Sequence, residues 1–179
     1  MSGRIVLQQA DIARALTRIS HEILESNRGP DDLVVLGIPT RGVILADRIA
    51  GLIREISGRP VESGSLDVTM YRDDLSRNPV RAPAPTRLPA GGIDGRVVVL
   101  VDDVLYSGRT IRSALDALSD LGRPRVVRLA VLIDRGHREL PIRPDFVGKN
   151  LPSAQGERIF VRLHERDAEE FVSIEGSGK

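Results

Sequence analysis

Residues 98–110 read Val98-Val99-Leu100-Val101-Asp102-Asp103-Val104-Leu105-Tyr106-Ser107-Gly108-Arg109-Thr110, and the rest of the chain is arranged around them. The run 98–101 is short, apolar and rich in β-branched residues, as expected of a strand buried on both faces. Two carboxylates, Asp102 and Asp103, stand at its carboxyl end, where open α/β sheets bind their ligands. Ile111, Leu115 and Leu118 then recur at helical spacing. The segment is therefore read as strand, polar loop and helix start. Amide groups at the helix start, with the hydroxyls of Ser107 and Thr110, can surround a phosphate that Gly108 lets approach the backbone. Two carboxylates facing that phosphate would repel it, so they suit sugar hydroxyls or a divalent cation instead. A molecule with a phosphate at one end, a diol in the middle and a metal-bound pyrophosphate fits the layout, which describes 5-phosphoribosyl 1-pyrophosphate. The motif contains neither Gly-Lys-Ser/Thr nor Gly-x-Gly-x-x-Gly, so a P-loop and a dinucleotide fingerprint are excluded.

Working outward, residues 33–36 give a second buried strand, followed by Gly37-Ile38-Pro39-Thr40-Arg41-Gly42 and an apolar helix. A strand again ends in a small loop and a helix start, so backbone amides with Thr40 and Arg41 form a second anion site. Residues 8–27 are read as a helix, with Ile12, Leu16, Ile19 and Ile23 within about 60° of one another. Arg14, Thr17, Arg18, His21 and Arg28 lie on its opposite side, a pattern that a solvated face explains. Residues 61–70 are read as a strand with mixed alternation. Between 77 and 95 come four prolines, three glycines and no periodicity. We read residues 70–95 as a mobile lid over the site, with Arg72 near its base positioned to meet pyrophosphate. A strand at 126–132, an irregular basic segment at 134–150 and a final strand at 157–163 follow, and the tail 173–179 reads as disordered.

The quoted motif resembles that of the type I phosphoribosyltransferases. Tyr71-Arg72-Asp73-Asp74-Leu75-Ser76 and Ile133-Asp134-Arg135-Gly136-His137-Arg138-Glu139-Leu140-Pro141-Ile142-Arg143 narrow the likeness to one family within them. That family consists of bifunctional pyrimidine operon regulators, RNA-binding attenuators that are also uracil phosphoribosyltransferases. The resemblance covers roughly residues 6–160 and implies one domain, 1–179, of type I phosphoribosyltransferase fold. This is an α/β architecture with a central, mostly parallel sheet, helices on both faces and a small hood. It implies a pyrophosphate loop at Thr40, Arg41 and Gly42, where many relatives carry a basic residue in place of Pro39. Val104, Leu105, Tyr106, Ser107, Gly108, Arg109 and Thr110 would bind the substrate or UMP. Asp102, Asp103, Arg72 and Arg41 would be catalytic, and Asp102 and Asp103 would hold Mg²⁺ mainly through the substrate. Asp134, Arg135 and His137 would belong to a uracil hood spanning 134–150. A leader-mRNA stem-loop would be bound by Arg14, Thr17, Arg18 and His21 with Arg138, Arg143 and Lys149, by a homodimer; pairing into tetramers is left open. The central motif alone also admits hypoxanthine, guanine or orotate without RNA binding, and only the hood segment argues for uracil.

Composition sets the outer bounds. With 179 residues, 41% hydrophobic and 28% charged, the chain suits one globular domain. No apolar run approaches a membrane span and no signal-peptide pattern opens the chain, so a cytoplasmic protein is expected. The absence of cysteine excludes disulfides and thiolate chemistry. A formal net charge of +1 names no partner. Of 26 basic residues only Lys149 and Lys179 are lysine, leaving 24 arginines. Arginine suits bidentate phosphate contacts, but a genome rich in G and C gives the same bias. Aromatics make up 3%, too few for a base-stacking RNA module.

Overall fold

A computed structural model of the chain describes residues 3–73 and 85–176. Five strands form a parallel sheet: β2 (Leu33–Gly37), β3 (Glu62–Ser65), β4 (Val97–Leu105), β5 (Val126–Asp134) and β6 (Phe146–Asn150), in spatial order β3-β2-β4-β5-β6. Alternation along β4 sends Val97, Val99 and Val101 to one face and Val98 and Leu100 to the other. Both faces are covered, which explains why this strand has no polar side until its end. Helices α1 (Gln9–Asn27) and α2 (Arg41–Ser57) cover the first face through Ile12, Leu16, Ile19, Leu45, Ile49 and Ile53. Helix α3 (Arg109–Leu121) covers the second through Ile111, Ala114, Ala117 and Leu118. A second sheet joins the two ends of the chain: β1 (Arg4–Gln8), β7 (Arg158–Arg162) and β8 (Phe171–Glu175) pair antiparallel in the order β1-β8-β7. No helix among the described residues is long and apolar enough to cross a membrane.

Several boundaries differ from the sequence reading. Strand β4 runs on to Leu105, which pairs with Asp134 of β5, so Asp102 and Asp103 lie within the strand's last residues. The strand expected at 61–70 stops at Ser65, because the Asp67 carboxylate accepts from the Thr69 amide and hydroxyl and turns the chain into a 3₁₀ turn, Thr69–Tyr71. Residues 146–150, assigned to the hood, are the edge strand β6 of the main sheet. Ser173, placed in a disordered tail, sits in β8 between β1 and β7 with only 4% of its surface exposed. The core of the expected lid, 74–84, lies outside the described residues. Its flanks are tied down: Arg87 bridges to Ser65, Ile93 is buried, and the Tyr71 hydroxyl donates to Asp120 at 2.6 Å.

The loop between β7 and β8 is clasped to α2. Arg48 donates to Glu165 at 2.7 Å and to the buried Glu170 at 2.5 Å. Burial raises the Glu170 carboxyl, but Arg48 and the His164 amide outweigh it and leave the group below its ordinary 4.5. The Arg48 guanidinium likewise lowers Glu165. Carboxylates depressed in the fold contribute stability above their unfolded values, and that stability is lost as pH falls through the depressed ones. Thermal midpoints measured from pH 7 downward should therefore begin to fall below about pH 4.5. Glu170→Gln should lower the neutral-pH midpoint and flatten that acid limb; an unchanged limb would remove Glu170 from the clasp's pH dependence.

Candidate functional site

Chain connectivity creates the site. From β2 the chain passes through α2 to β3 on one side, and from β4 through α3 to β5 on the other. The two crossovers cover opposite faces, so the carboxyl ends of adjacent β2 and β4 open into a crevice, the place where such sheets bind ligands. Its floor is tight: the Ile38 amide donates to the Val101 carbonyl at 2.9 Å. A Cβ on Gly42 would stand 2.5 Å from that same oxygen, so only glycine lets the first turn of α2 lie against β4.

Two helix starts face this crevice. Neither α2, after Thr40, nor α3, after Gly108, receives a side-chain capping bond, and neither has an acidic residue in its first turn. At α1, by contrast, Asp11 accepts from the Gln8 amide at 2.8 Å. Uncapped first-turn amides are anion-binding groups. The Pro39–Thr40 peptide before α2 is cis. Gly108 takes φ 92° at the start of α3, and its bare Cα also packs against Ile142 of the hood segment. The Ser107 hydroxyl accepts from the Arg109 amide at 3.2 Å.

Between the helix starts stand the two acids. Asp102 is 8% exposed and Asp103 half-buried. The Asp103 amide donates to Asp102 Oδ1 at 2.9 Å, and the Val104 amide to Asp103 Oδ1 at 2.8 Å. Burial, and after it the neighbouring Asp103 charge, push Asp102 well above the usual carboxylate range. Such a pair favours a cation or a positively charged sugar ring beside it. Among the described residues no three His, Asp or Glu side chains cluster to hold a metal. Two carboxylates suit a Mg²⁺ ion that takes most of its oxygens from a substrate and water.

The hood segment is fastened to the phosphate loop. Arg138, expected on an outward basic surface, instead turns inward: it donates to Ile142 O and Tyr106 O at 2.9 Å each and to Asp134 at 2.7 Å. The reason is local, because the bend at 135–142 leaves carbonyls that one guanidinium can bind together. The Glu139 amide donates to Ser107 O at 2.9 Å. Arg109, expected at the substrate, directs its guanidinium to Glu139 at 2.7 Å and Asp73 at 2.6 Å. Beside the bend lies a cavity of about 300 Å³ lined by Asp134, Arg135, Gly136, His137, Asn150, Pro152 and Ser153. Arg135 is 7% exposed, stacks 4.2 Å from the Tyr106 ring centroid and donates to Ala154 O at 3.1 Å. The His137 ring pairs with the Ser153 carbonyl.

Arg41, the first residue of α2, makes a two-pronged bond to Asp167, 126 positions away. Nothing in the local pattern around Asp167 marks it as a site residue, so the sequence reading passed over it, together with Asn150 and Ser153. Arg72 follows the 3₁₀ turn and is half-buried.

The remaining candidates lie apart from the crevice. Ala13, Arg14, Thr17, Arg18, His21, Glu22 and Glu25 line a groove of about 600 Å³ on the outer face of α1. Arg14, Arg18 and Lys149 also line an adjoining one of about 360 Å³ with Asp11 and Gly148. Arg18 is only partly available there, since it donates to Val147 O at 3.0 Å and Gly148 O at 2.5 Å on β6. Arg143 is exposed but lines neither groove; it follows Ile142, which packs on the α3 face of the sheet, opposite α1.

Known proteins resemble this chain in sequence and in fold. Residues 3–163 match the phosphoribosyl transferase domain family. The bifunctional protein PyrR of Leifsonia xyli is 72% identical, over 99% of this chain and 100% of its own. The PyrR of Streptomyces coelicolor is 63% identical over 96% and 89%, and that of Mycobacterium tuberculosis 57% over 96% and 93%. Among solved structures, hypoxanthine phosphoribosyltransferases share the fold. That of Trypanosoma cruzi superposes with a TM-score of 0.73 at 17% identity, covering 97% of this chain and 96% of its own. That of Staphylococcus aureus gives 0.70 at 16%, covering 95% and 90%.

Two glycines of α2 separate site packing from helix propensity. Gly42→Ala must push α2 away from Val101 and should cost about 1–3 kcal/mol in urea denaturation. Gly51→Ala, with nothing within 4 Å of the added carbon, should instead stabilise by about 0.5–1 kcal/mol.

Proposed function

The chain belongs to the phosphoribosyl transferase domain family, in its bifunctional PyrR branch, and from that premise we propose how its crevice transfers phosphoribosyl to uracil and how its surface binds RNA. The protein is a UMP-responsive RNA-binding regulator of pyrimidine biosynthesis genes with uracil phosphoribosyltransferase activity. The observation that carries the transferase reading is the Asp102–Asp103 pair between two helix starts whose N-cap residues make no side-chain capping bond. One helix start receives the 5-phosphate and the other the pyrophosphate, while the carboxylates take the ribose diol between them.

In the reaction, N1 of uracil forms a bond to the anomeric carbon and loses its proton, and pyrophosphate leaves with the electron pair of the C–O bond. No covalent nucleophile is required. Positive charge grows on the ribose ring, and Asp102 and Asp103 stabilise it there. The amides and side chains of Ser107 to Thr110 fix the phosphate end, which orients the ring for attack. Thr40, Arg41 and Gly42, with Arg72, hold the leaving group. Bound Mg²⁺ would supply charge neutralisation to the pyrophosphate oxygens, with Asp102 and Asp103 as its protein-side neighbours. The cavity at Asp134, Arg135 and His137 offers both donors and acceptors to a pyrimidine edge.

For RNA we assign the grooves along α1, with Arg14, Thr17, Arg18, His21 and Lys149. A single helix face is a small footprint, and a homodimer would present it twice. The same chemistry suits the protein to the cytoplasm, where its substrates and RNA occur together.

Spectroscopic assay of the purified protein with phosphoribosyl pyrophosphate, Mg²⁺ and each base in turn tests the transferase. Uracil should turn over; turnover of hypoxanthine, guanine or orotate with none of uracil would overturn the reading. Asp103→Asn should lower turnover by at least about 10²-fold with little change in melting temperature. On the RNA side, Arg14→Gln and Lys149→Gln should each reduce the salt slope of leader-RNA binding by about one while sparing catalysis. Unchanged slopes would remove the α1 grooves from the RNA surface.

A further inference from the structure

Arg41 is the residue of the pyrophosphate loop with the most to offer an anion, and its guanidinium is occupied by this chain's own carboxylate. Nε donates to Asp167 Oδ2 at 3.2 Å, and Nη2 to Oδ1 at 2.8 Å and Oδ2 at 3.0 Å. The two side chains are 27% and 12% exposed. A guanidinium fork fits two oxygens of a phosphate as it fits those of a carboxylate, so the two anions call on the same donors.

Asp167 cannot simply swing aside. Its Oδ2 accepts from the Leu163 amide at 2.8 Å, and its own amide donates to the Leu163 carbonyl at 2.7 Å. Two helical turns beyond Arg41, Arg48 grips Glu165 and Glu170 of the same loop. The carboxylate is thereby held in place by bonds that do not depend on Arg41. Glu165 and Arg166 of this loop line a cleft of about 370 Å³ together with Pro39 and Thr40, so the loop borders the pyrophosphate loop directly.

We propose that Asp167 is a positioning residue that acts through Arg41, competing with pyrophosphate for its guanidinium and so weakening retention of the leaving group. This rests on the assignment of Arg41 to the pyrophosphate loop made above. A fixed internal competitor lowers the affinity of donor and product alike, but it matters most for pyrophosphate, which after transfer no longer shares the ribose and 5-phosphate contacts that anchor the donor. Asp167 thus trades some affinity for phosphoribosyl pyrophosphate against release of the product.

The test is calorimetric titration of the full chain with Mg²⁺-pyrophosphate, using wild type, Asp167→Asn, Arg41→Ala and the double variant. Asparagine keeps an oxygen for the Leu163 amide but loses the charge. Asp167→Asn should bind pyrophosphate about five- to tenfold more tightly, the scale of one partly screened charge pair. It should also lower KM for phosphoribosyl pyrophosphate and strengthen product inhibition. In the Arg41→Ala background the same substitution should change nothing. Weaker or unchanged pyrophosphate binding by Asp167→Asn would overturn the proposal, as would equal tightening without Arg41. Wild-type affinity in Arg41→Ala alone would instead overturn the placement of Arg41 itself. Glu165→Gln loosens the neighbouring grip on Arg48 without touching Arg41. If it tightened pyrophosphate binding as much as Asp167→Asn does, loop release rather than competition would be the cause.

Discussion

The handedness of the strand-helix-strand crossover is the constraint on which the rest depends. Because β2 and β4 are neighbours whose crossovers leave in opposite directions, α2 and α3 must cover opposite faces, and a gap must open between their starts. The chemistry of the crevice follows from filling that gap. The helix starts supply amides, β4 supplies two acids, and the hood segment leans over from β5. The apolar run of β4 is what secures the geometry. With both faces buried, this strand cannot slip or tilt without exposing valines on one side or the other.

Charge is used here as a fastening. The chain is rich in arginine, and the structure turns many of these side chains inward on its own backbone and acids. Arg18 ties α1 to the open edge of β6, Arg138 braces the hood bend, and Arg41 and Arg48 pin the β7–β8 loop to α2. A planar group with five donors can close a bend or cap a strand edge where lysine would make a single contact. The bias in composition is therefore compatible with a structural use as well as with phosphate recognition.

What the sequence disclosed was local. Strands with no polar side, glycine-bearing loops at their ends and helical spacing beyond them are all patterns within a dozen residues, and they located the crevice and its acids. What it concealed was non-local. The second sheet pairs residues near 5 with residues near 173, and Phe171, Val172 and Ile174 are too short a run to betray a strand without that partner. Asp167 meets Arg41 across 126 positions. Arg138 looked like a surface charge because its spacing says nothing about the carbonyls that the bend would present to it. The length of β4 is hidden for a related reason: its acids end the apolar pattern but not the pairing with β5, which continues to Leu105.

Strand β6 carries one further consequence. Lys149 borders the groove along α1, and Asn150, the next residue, borders the hood cavity. The two residues are joined by one peptide bond at the end of β6, so the groove and the cavity share a stretch of backbone. A nucleotide in the hood and RNA in the groove would be separated there by a single peptide bond.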